Sequence, residues 1–266
     1  KGYIVTIETL RYFAELRDQN IADRSRSKIK PEQFLNSKNE QKSFAIIESR
    51  IQERLAKLGL TSQPIKAATP ETKEQKTSSH TAHVSVVDDA GMAVGLTNSV
   101  ANIMGSGMTV PGYGFVLNST LGDFDGDSKK GTHNLPAPGL RPRSNMSPTV
   151  FTQVVDGVEQ PMAVVGAAGG PLIPEAVVQF VQNYYLHNED GDDALKAARV
   201  HPSGANKVEV EKSITDEVVN QLKTAGYEVK VSDTIWAVLE AVVRKNTTSS
   251  WSAVSDPRYD GLGITN

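Results

Sequence analysis

The chemistry of this sequence is expected at a threonine that follows a polar stretch and opens an alternating apolar one. Residues 76–107 read KTSSHTAHVSVVDDAGMAVGLTNSVANIMGSG, and Thr81 stands where the composition changes. A hydroxyl at the start of a buried hairpin can attack the preceding carbonyl, so that the peptide becomes an ester and water releases a free α-amine. That amine can then act as the base for its own side chain. The pattern predicts a self-cleaving N-terminal nucleophile, although a threonine that only begins a strand fits it too.

The elements that must position Thr81 are a β-hairpin and the turns around it. Alternating apolar residues on both sides of the turn at 88–91 predict two paired strands. A third strand is expected to end at Val116, after a second turn at 105–114.

Elsewhere the chain groups its strands and helices rather than alternating them, which favours stacked sheets faced by helices. Helices are predicted at 1–23, 44–58, 174–187, 192–200 and 216–225. Strands are predicted at 149–155, 162–165, 207–211, 228–231 and 235–243. Pro31 opens a short turn or helix, and the polar stretch before Thr81 has almost nothing to bury, which predicts a mobile linker.

Composition excludes several classes of function. The chain has 266 residues, with 28 basic and 31 acidic side chains and a net charge of −3, so no basic patch favours nucleic acid. No run of about 18 apolar residues could span a bilayer. Cysteine is absent, which excludes disulfides and cysteine metal sites in this sequence. The sequence opens at Lys1 without methionine, as if within a longer protein.

The sequence around Thr81 resembles that of a known family. Residues 81–88 read TAHVSVVD, which is similar to the T-x-H-x-S-V-x-D that opens the small subunit of γ-glutamyltransferases. Five further blocks resemble the family in the same order: Leu96–Ser99 with Gly105–Gly107, Gly114–Asn118 with Asp123–Phe124, Arg141–Pro142 with Ser144–Thr149, Gly166–Gly170, and Ser255–Arg258. The blocks span nearly all of 81–266.

The resemblance implies an α+β fold, the N-terminal-nucleophile hydrolase αββα four-layer sandwich, of which this chain holds the later part. It implies that residues 1–60 are the helical end of a large subunit and 61–80 a linker to the processing point. Residues 81–266 would then be the small-subunit nucleophile domain. The remainder of the large subunit is expected as a partner.

The resemblance also implies the catalytic residues. Thr81 matches the nucleophile and His80–Thr81 the cleavage site. Ser99 lies where relatives carry a threonine hydroxyl that bonds the nucleophile, and serine keeps a donor and an acceptor there. Gly169 and Gly170 match the pair whose backbone N–H groups form the oxyanion hole, where a Cβ would obstruct the close approach of two amides.

Substrate-binding residues are implied in the same way. Asp123 matches the acid that holds the α-ammonium group of the substrate. Ser144 matches one of two serine hydroxyls that meet the α-carboxylate, and the second is replaced here by Asn145, which still offers donors. The alternative for Asp123 is a turn residue before Phe124.

Two positions depart from the family pattern. Ala101 and Thr120 replace an asparagine and a glutamine, so two amides are lost near the carboxylate. Arg143, a leucine in many relatives, could compensate by bidentate pairing, or it could be a surface residue. The capsule-depolymerase branch, which acts on poly-γ-glutamate, also has an arginine near this place.

The implied reaction is acyl transfer from a small γ-glutamyl donor such as glutathione to water or to an amine or dipeptide. No cofactor and no metal are expected, and His83 and His201 are interpreted as structural. The alternatives are an amidase, acylase or poly-γ-glutamate hydrolase of the same fold, or an unprocessed inactive relative. By resemblance, a secreted, periplasmic or cell-surface location is expected.

Overall fold

The computed structural model describes residues 2–27, 30, 33, 36–60, 80–126, 133–233, 235 and 237–265. The chain divides into two compact units that interleave along the sequence. The first unit comprises residues 1–75, 121–144 and 198–235, and the second comprises 76–120, 145–197 and 236–266. Almost all of the predicted linker, and the turn predicted at Pro31, lie outside the described residues. The division at 60 and 80 therefore stays a prediction.

The regular elements are as follows. The helices are α1 Gly2–Asn20, α2 Ser37–Lys57, α3 Ile173–Val181, α4 Gly191–Lys196 and α5 Asp216–Thr224. The strands are β1 Thr81–Val87, β2 Ala93–Ser99, β3 Thr149–Val155, β4 Val158–Ala168, β5 Val200–His201, β6 Lys207–Glu211, β7 Glu228–Ser232, β8 Val238–Val243 and β9 Ser252–Ser255. In the described part of the chain, no helix is long and apolar enough to cross a membrane.

The second unit is a sandwich of two antiparallel sheets. β1 pairs with β2, and the other sheet has the order β3-β4-β8-β9. The two-stranded sheet packs on β4 and β8, and α3 packs against the same two strands. The successive helix and sheet layers agree with the fold that the sequence predicted.

Strand β4 is the central strand of this sandwich and is covered on both faces. A Cβ at Gly95 would lie 3.1 Å from Val164, and a Cβ at Gly166 would lie 2.3 Å from the His83 ring. Val164 and Gly166 therefore face β1 and β2, and Val165, which lies between them, faces the opposite side. Because both faces are covered, residues 162–167 are all buried. Gly166 lets the two sheets approach closely above His83.

The first unit is built on a three-stranded sheet of order β5-β6-β7. β6 and β7 are parallel, with α5 between them in sequence, and α1 packs on α2 and on β5. Its core contains Ile7, Val208, Val210, Leu222 and Tyr227.

A buried ionic network ties the elements of this first unit together. One carboxylate oxygen of Glu8 accepts hydrogen bonds from Arg11 at 2.7 Å, Tyr227 at 2.6 Å and Arg54 at 3.2 Å. Burial, and then the charge of Glu8, raise the pKa of Tyr227. Loss of one partner would leave a buried charge without compensation, which is costly. The network therefore connects α1, α2 and the residue before β7.

Several predicted elements are confirmed and one is wrong. β3 and β6 occupy the predicted residues. The third strand predicted before Val116 is absent from the described residues, where only an isolated bridge joins Thr109 to Val116. Four glycines with positive φ interrupt extended backbone there: Gly105, Gly107, Gly112 and Gly114.

Other boundaries differ for local reasons. α2 begins at Ser37 rather than at residue 44, because the Asn36 side chain accepts the Asn39 N–H as a helix cap. The helix predicted at 192–200 ends at Lys196, and Val200 instead pairs in β5. The helix predicted at 174–187 ends at Val181 and continues as a π-helical turn, Gln182–Leu186.

Candidate active site

Thr81 is the first residue of β1, directly opposite Ser99 in the strand pairing. The Thr81 hydroxyl donates to the Ser99 hydroxyl at 3.0 Å, and Ser99 also accepts the Ala101 N–H at 3.0 Å. The N–H of His80 donates to the Ala101 carbonyl at 3.0 Å, so the pairing continues one residue beyond the strand. The His80–Thr81 peptide is therefore held against the turn that follows β2.

The next polar pair on the same face is His83 with Thr97. The His83 ring nitrogens lie 2.7 Å from the Thr97 hydroxyl and 2.9 Å from the Ser85 hydroxyl. Burial lowers the pKa of His83 to about 4, so the ring is neutral near pH 7. His83 thus lies among hydroxyls directly beside the Thr81–Ser99 pair.

Gly169 and Gly170 follow β4 at the point where the chain turns into α3. Gly169 has φ 138° and Gly170 has φ 57°, both in the region that glycine adopts without strain. A short 3-10 turn, Gly170–Leu172, leads directly into α3. Backbone N–H groups at such a helix start carry a partial positive charge, which suits an oxyanion.

A cleft of about 840 Å³ runs along β1 within the second unit. Thr81 and Ala168 line it, together with β8, β9 and the tail at 259–265. Its volume is typical of small-molecule sites. Glu240 also lines the cleft, and its pKa is raised by burial, an effect that a hydrogen bond from Ser255 opposes. Thr81 and the residue before the glycine pair therefore border one cavity.

The predicted substrate-binding residues fall in both units. Asp123, Arg143 and Ser144 belong to the first unit, whereas Asn145 belongs to the second. Asp123 ends a 3-10 turn and is exposed. Desolvation by nearby protein raises the pKa of Asp123, and the charge of Arg143 partly opposes that shift.

Arg143 has acidic partners within its own unit. Its guanidinium donates to Asp125 at 3.1 Å and lies 3.6 Å from Asp18. Its side chain is 10% exposed. Its backbone N–H donates to the side-chain oxygen of Asn134 at 2.9 Å. Neither Asn134 nor Asp18 stands in a sequence motif, and contacts between side chains distant in sequence leave no periodic signal.

The two positions that depart from the family pattern have distinct local roles. Ala101 has φ 68°, a left-handed conformation that is unfavourable for alanine and better tolerated by asparagine. Thr120 donates through both its N–H and its hydroxyl to the Asn118 side chain. Ala101 is thus strained beside Ser99 and His80, which it contacts, and Thr120 stabilises a turn.

A family model described as gamma-glutamyltranspeptidase matches residues 1–265. The chain belongs to the gamma-glutamyltranspeptidase family. This membership confirms the resemblance that the six sequence blocks indicated.

Curated members of the gamma-glutamyltranspeptidase family align with much of the chain. The glutathione hydrolase proenzyme of Pseudomonas aeruginosa is 31% identical over 198 residues, covering 69% of this chain and 34% of that protein. The glutathione hydrolase proenzyme of Bacillus subtilis strain 168 is 25% identical over 194 residues, covering 73% of this chain and 32% of that protein. The chain therefore spans about a third of the length of these relatives.

Solved structures of gamma-glutamyltranspeptidases match about two thirds of the chain. The Pseudomonas nitroreducens enzyme complexed with L-DON has a TM-score of 0.59 at 28% identity, covering 69% of this chain and 98% of that chain. A Helicobacter pylori gamma-glutamyltranspeptidase mutant has 0.58 at 26% identity, covering 66% and 99%. Cephalosporin acylase from Bacillus halodurans has 0.68 at 19% identity, covering 98% of this chain and 48% of that chain, and shows the fold alone.

Proposed function

We propose that this chain carries the self-processing and acyl-transfer machinery of a γ-glutamyl enzyme. It would hydrolyse or transfer the γ-glutamyl group of glutathione-like amides through an acyl-enzyme on Thr81. The observation that carries the proposal is the Thr81–Ser99 hydroxyl pair, at 3.0 Å, at the start of β1 in a member of the gamma-glutamyltranspeptidase family.

The first step is cleavage of the chain. The Thr81 oxygen attacks the carbonyl carbon of His80, the peptide C–N bond breaks, and the nitrogen takes the hydroxyl proton. Water then hydrolyses the resulting ester, which leaves a carboxylate on His80 and restores the Thr81 hydroxyl. Thr81 now bears a free α-amine. The contact between the His80 N–H and Ala101 supports this step, because it holds the residue whose carbonyl is attacked against the turn that follows β2.

The second step is turnover. The Thr81 amine takes the hydroxyl proton as the oxygen attacks the γ-carbonyl of the donor. The N–H groups of Gly169 and Gly170 stabilise the oxyanion, and the donor's amine leaves with a proton. Water or an amine acceptor then attacks the acyl-enzyme and releases Thr81.

Substrate recognition is assigned to the polar loop residues. Asp123 pairs with the α-ammonium group, and this requires an ionised carboxylate. Because desolvation raises the pKa of Asp123, recognition of ammonium-bearing donors weakens as the pH falls through that raised value. Ser144 and Asn145 donate to the α-carboxylate, with Arg143 nearby in sequence.

The proposal includes a partner and a location. The remainder of a large subunit would complete the enzyme, which is expected to be secreted, periplasmic or on the cell surface. The relatives support the expected large-subunit partner, because they are proenzymes about three times as long as the aligned stretch.

Substitution of Thr81 in the full-length protein tests the proposal. Thr81→Ala should abolish both chain cleavage and hydrolysis of a γ-glutamyl anilide, because one hydroxyl performs both. Thr81→Ser should retain some of each activity. Mass spectrometry should show that wild-type fragments meet between His80 and Thr81. Normal processing of Thr81→Ala would exclude Thr81 as the nucleophile.

A further inference from the structure

Asn134 is a buried polar side chain in the segment that carries Asp123 and Ser144. It is 1% exposed. Its side-chain nitrogen donates to the Asp123 carbonyl at 2.8 Å, and its side-chain oxygen accepts the Arg143 N–H at 2.9 Å. Its backbone carbonyl accepts the Asp125 N–H at 2.8 Å. Asn134 therefore bonds both ends of the segment.

The Asp123 carbonyl and the Arg143 N–H are paired by one side chain at position 134 that both donates and accepts. One partner is a carbonyl and needs a donor, and the other is an N–H and needs an acceptor. The primary amide of asparagine offers a donor and an acceptor on two separate atoms, and its orientation follows from the partners. A carboxylate would place an oxygen against the Asp123 carbonyl, and an aliphatic side chain would leave both groups without this partner.

A second connection holds the same segment on the helical part of the first unit. The Arg143 guanidinium bonds Asp125 and lies near Asp18. The N–H of Arg141 donates to the Asp23 carboxylate at 3.0 Å. These bonds anchor the segment as a whole, whereas Asn134 joins residue 123 directly to residue 143.

We propose that Asn134 is a positioning residue that sets the placement of Asp123 relative to Ser144. The inference rests on the proposed function, in which these two side chains hold the ammonium and carboxylate groups of one γ-glutamyl substrate. A small displacement between them would weaken recognition of the pair of charges without touching the nucleophile.

A pair of substrates tests the proposal in the full-length protein. γ-Glutamyl-p-nitroanilide carries the α-ammonium and α-carboxylate groups, and butyryl-p-nitroanilide lacks both. Asn134→Asp should raise KM for the first by about 10- to 100-fold, the range expected when one charge-assisted contact is lost. KM for the second should change less than about threefold, because it makes no such contact. Asn134→Asp should add little in an Asp123→Asn background.

Tyr227→Phe is the matched control, because it removes one buried hydrogen bond from the same unit, away from residues 121–144. It should leave the ratio of KM values unchanged. An unchanged ratio in Asn134→Asp, while Asp123→Asn does alter it, would overturn the positioning role. An unchanged ratio in Asp123→Asn would instead contradict the proposed function.

Hydrogen–deuterium exchange separates the positioning role from catalysis. Asn134→Asp should accelerate exchange in peptides covering 121–126 and 141–144, and Tyr227→Phe should not. If exchange there is unchanged, Asn134 does not hold the segment and the inference is wrong. Should Asn134→Asp not fold, Asn134→Gln carries the same test, because it retains the amide but displaces it.

Discussion

Replacement of Ser99 by alanine tests how the proposed nucleophile, Thr81, is oriented. Ser99 contacts two groups at 3.0 Å, the Thr81 hydroxyl and the Ala101 N–H. The N–H fixes the Ser99 oxygen, and that oxygen fixes the Thr81 hydroxyl. Ser99→Ala removes this anchor but leaves the proposed base, the Thr81 amine, in place.

The size of the effect distinguishes orientation from proton transfer. Loss of one neutral hydrogen bond costs about 0.5–1.5 kcal/mol, which corresponds to a rate decrease of about 2- to 13-fold. A group that transfers the proton would contribute about 10²- to 10⁴-fold. Because the Ser99 oxygen already accepts the Ala101 N–H, we expect the smaller effect on both chain cleavage and kcat/KM.

The assay follows the two reactions separately. Chain cleavage is timed on denaturing gels after synthesis, and turnover is measured with γ-glutamyl-p-nitroanilide. Ser99→Thr keeps a hydroxyl and should stay within about twofold of wild type, which is no more than the smallest cost of one lost hydrogen bond. Ser85→Ala is the control. It lies on β1, the strand of Thr81, and removes a hydroxyl that contacts His83 rather than Thr81. A loss above about 100-fold in Ser99→Ala would refute the orientation role, since it requires proton transfer.

Two further predictions concern the surroundings of Thr81. Ala101→Gly and Ala101→Asn should each raise stability by about 0.5–1 kcal/mol, because both residues tolerate the positive φ. Only Ala101→Asn should also lower KM for the γ-glutamyl donor. If both variants are thermally stabilised but have equal KM values, the asparagine amide at position 101 does not contribute to substrate recognition. His83 is neutral when folded, with a pKa of about 4, against about 6.5 in the unfolded chain, so its contribution to stability is present above pH 6.5 and is lost as the pH falls towards 4. After allowance for the partial exposure of His83, we expect the free energy of unfolding to decrease by about 1–2 kcal/mol over that pH range. Thermal unfolding of Thr81→Ala with and without His83→Gln measures this decrease. Parallel pH profiles of the two proteins would contradict the prediction.

Local pattern was sufficient for the hairpin and for several strands. Alternation of apolar side chains placed β3 and β6 at their observed residues, since one face of each strand is less exposed than the other. It failed for the end of the 105–116 stretch, where glycines break the extended backbone. The same pattern predicted β4 too short, at 162–165 rather than Val158–Ala168, because a strand covered on both faces shows no alternation.

The sequence by itself determined the candidate nucleophile and the family, because Thr81 and the six blocks are recognised from neighbouring residues. Only the tertiary structure decided that two units interleave, that Ala101 adopts a positive φ, and that Asn134 bonds Asp123 and Arg143. The physical reason is that an asparagine side chain has the same sequence appearance in a solvated loop as in a buried one. Its role depends on which backbone groups, nine to eleven residues away, the fold brings within 3 Å of it.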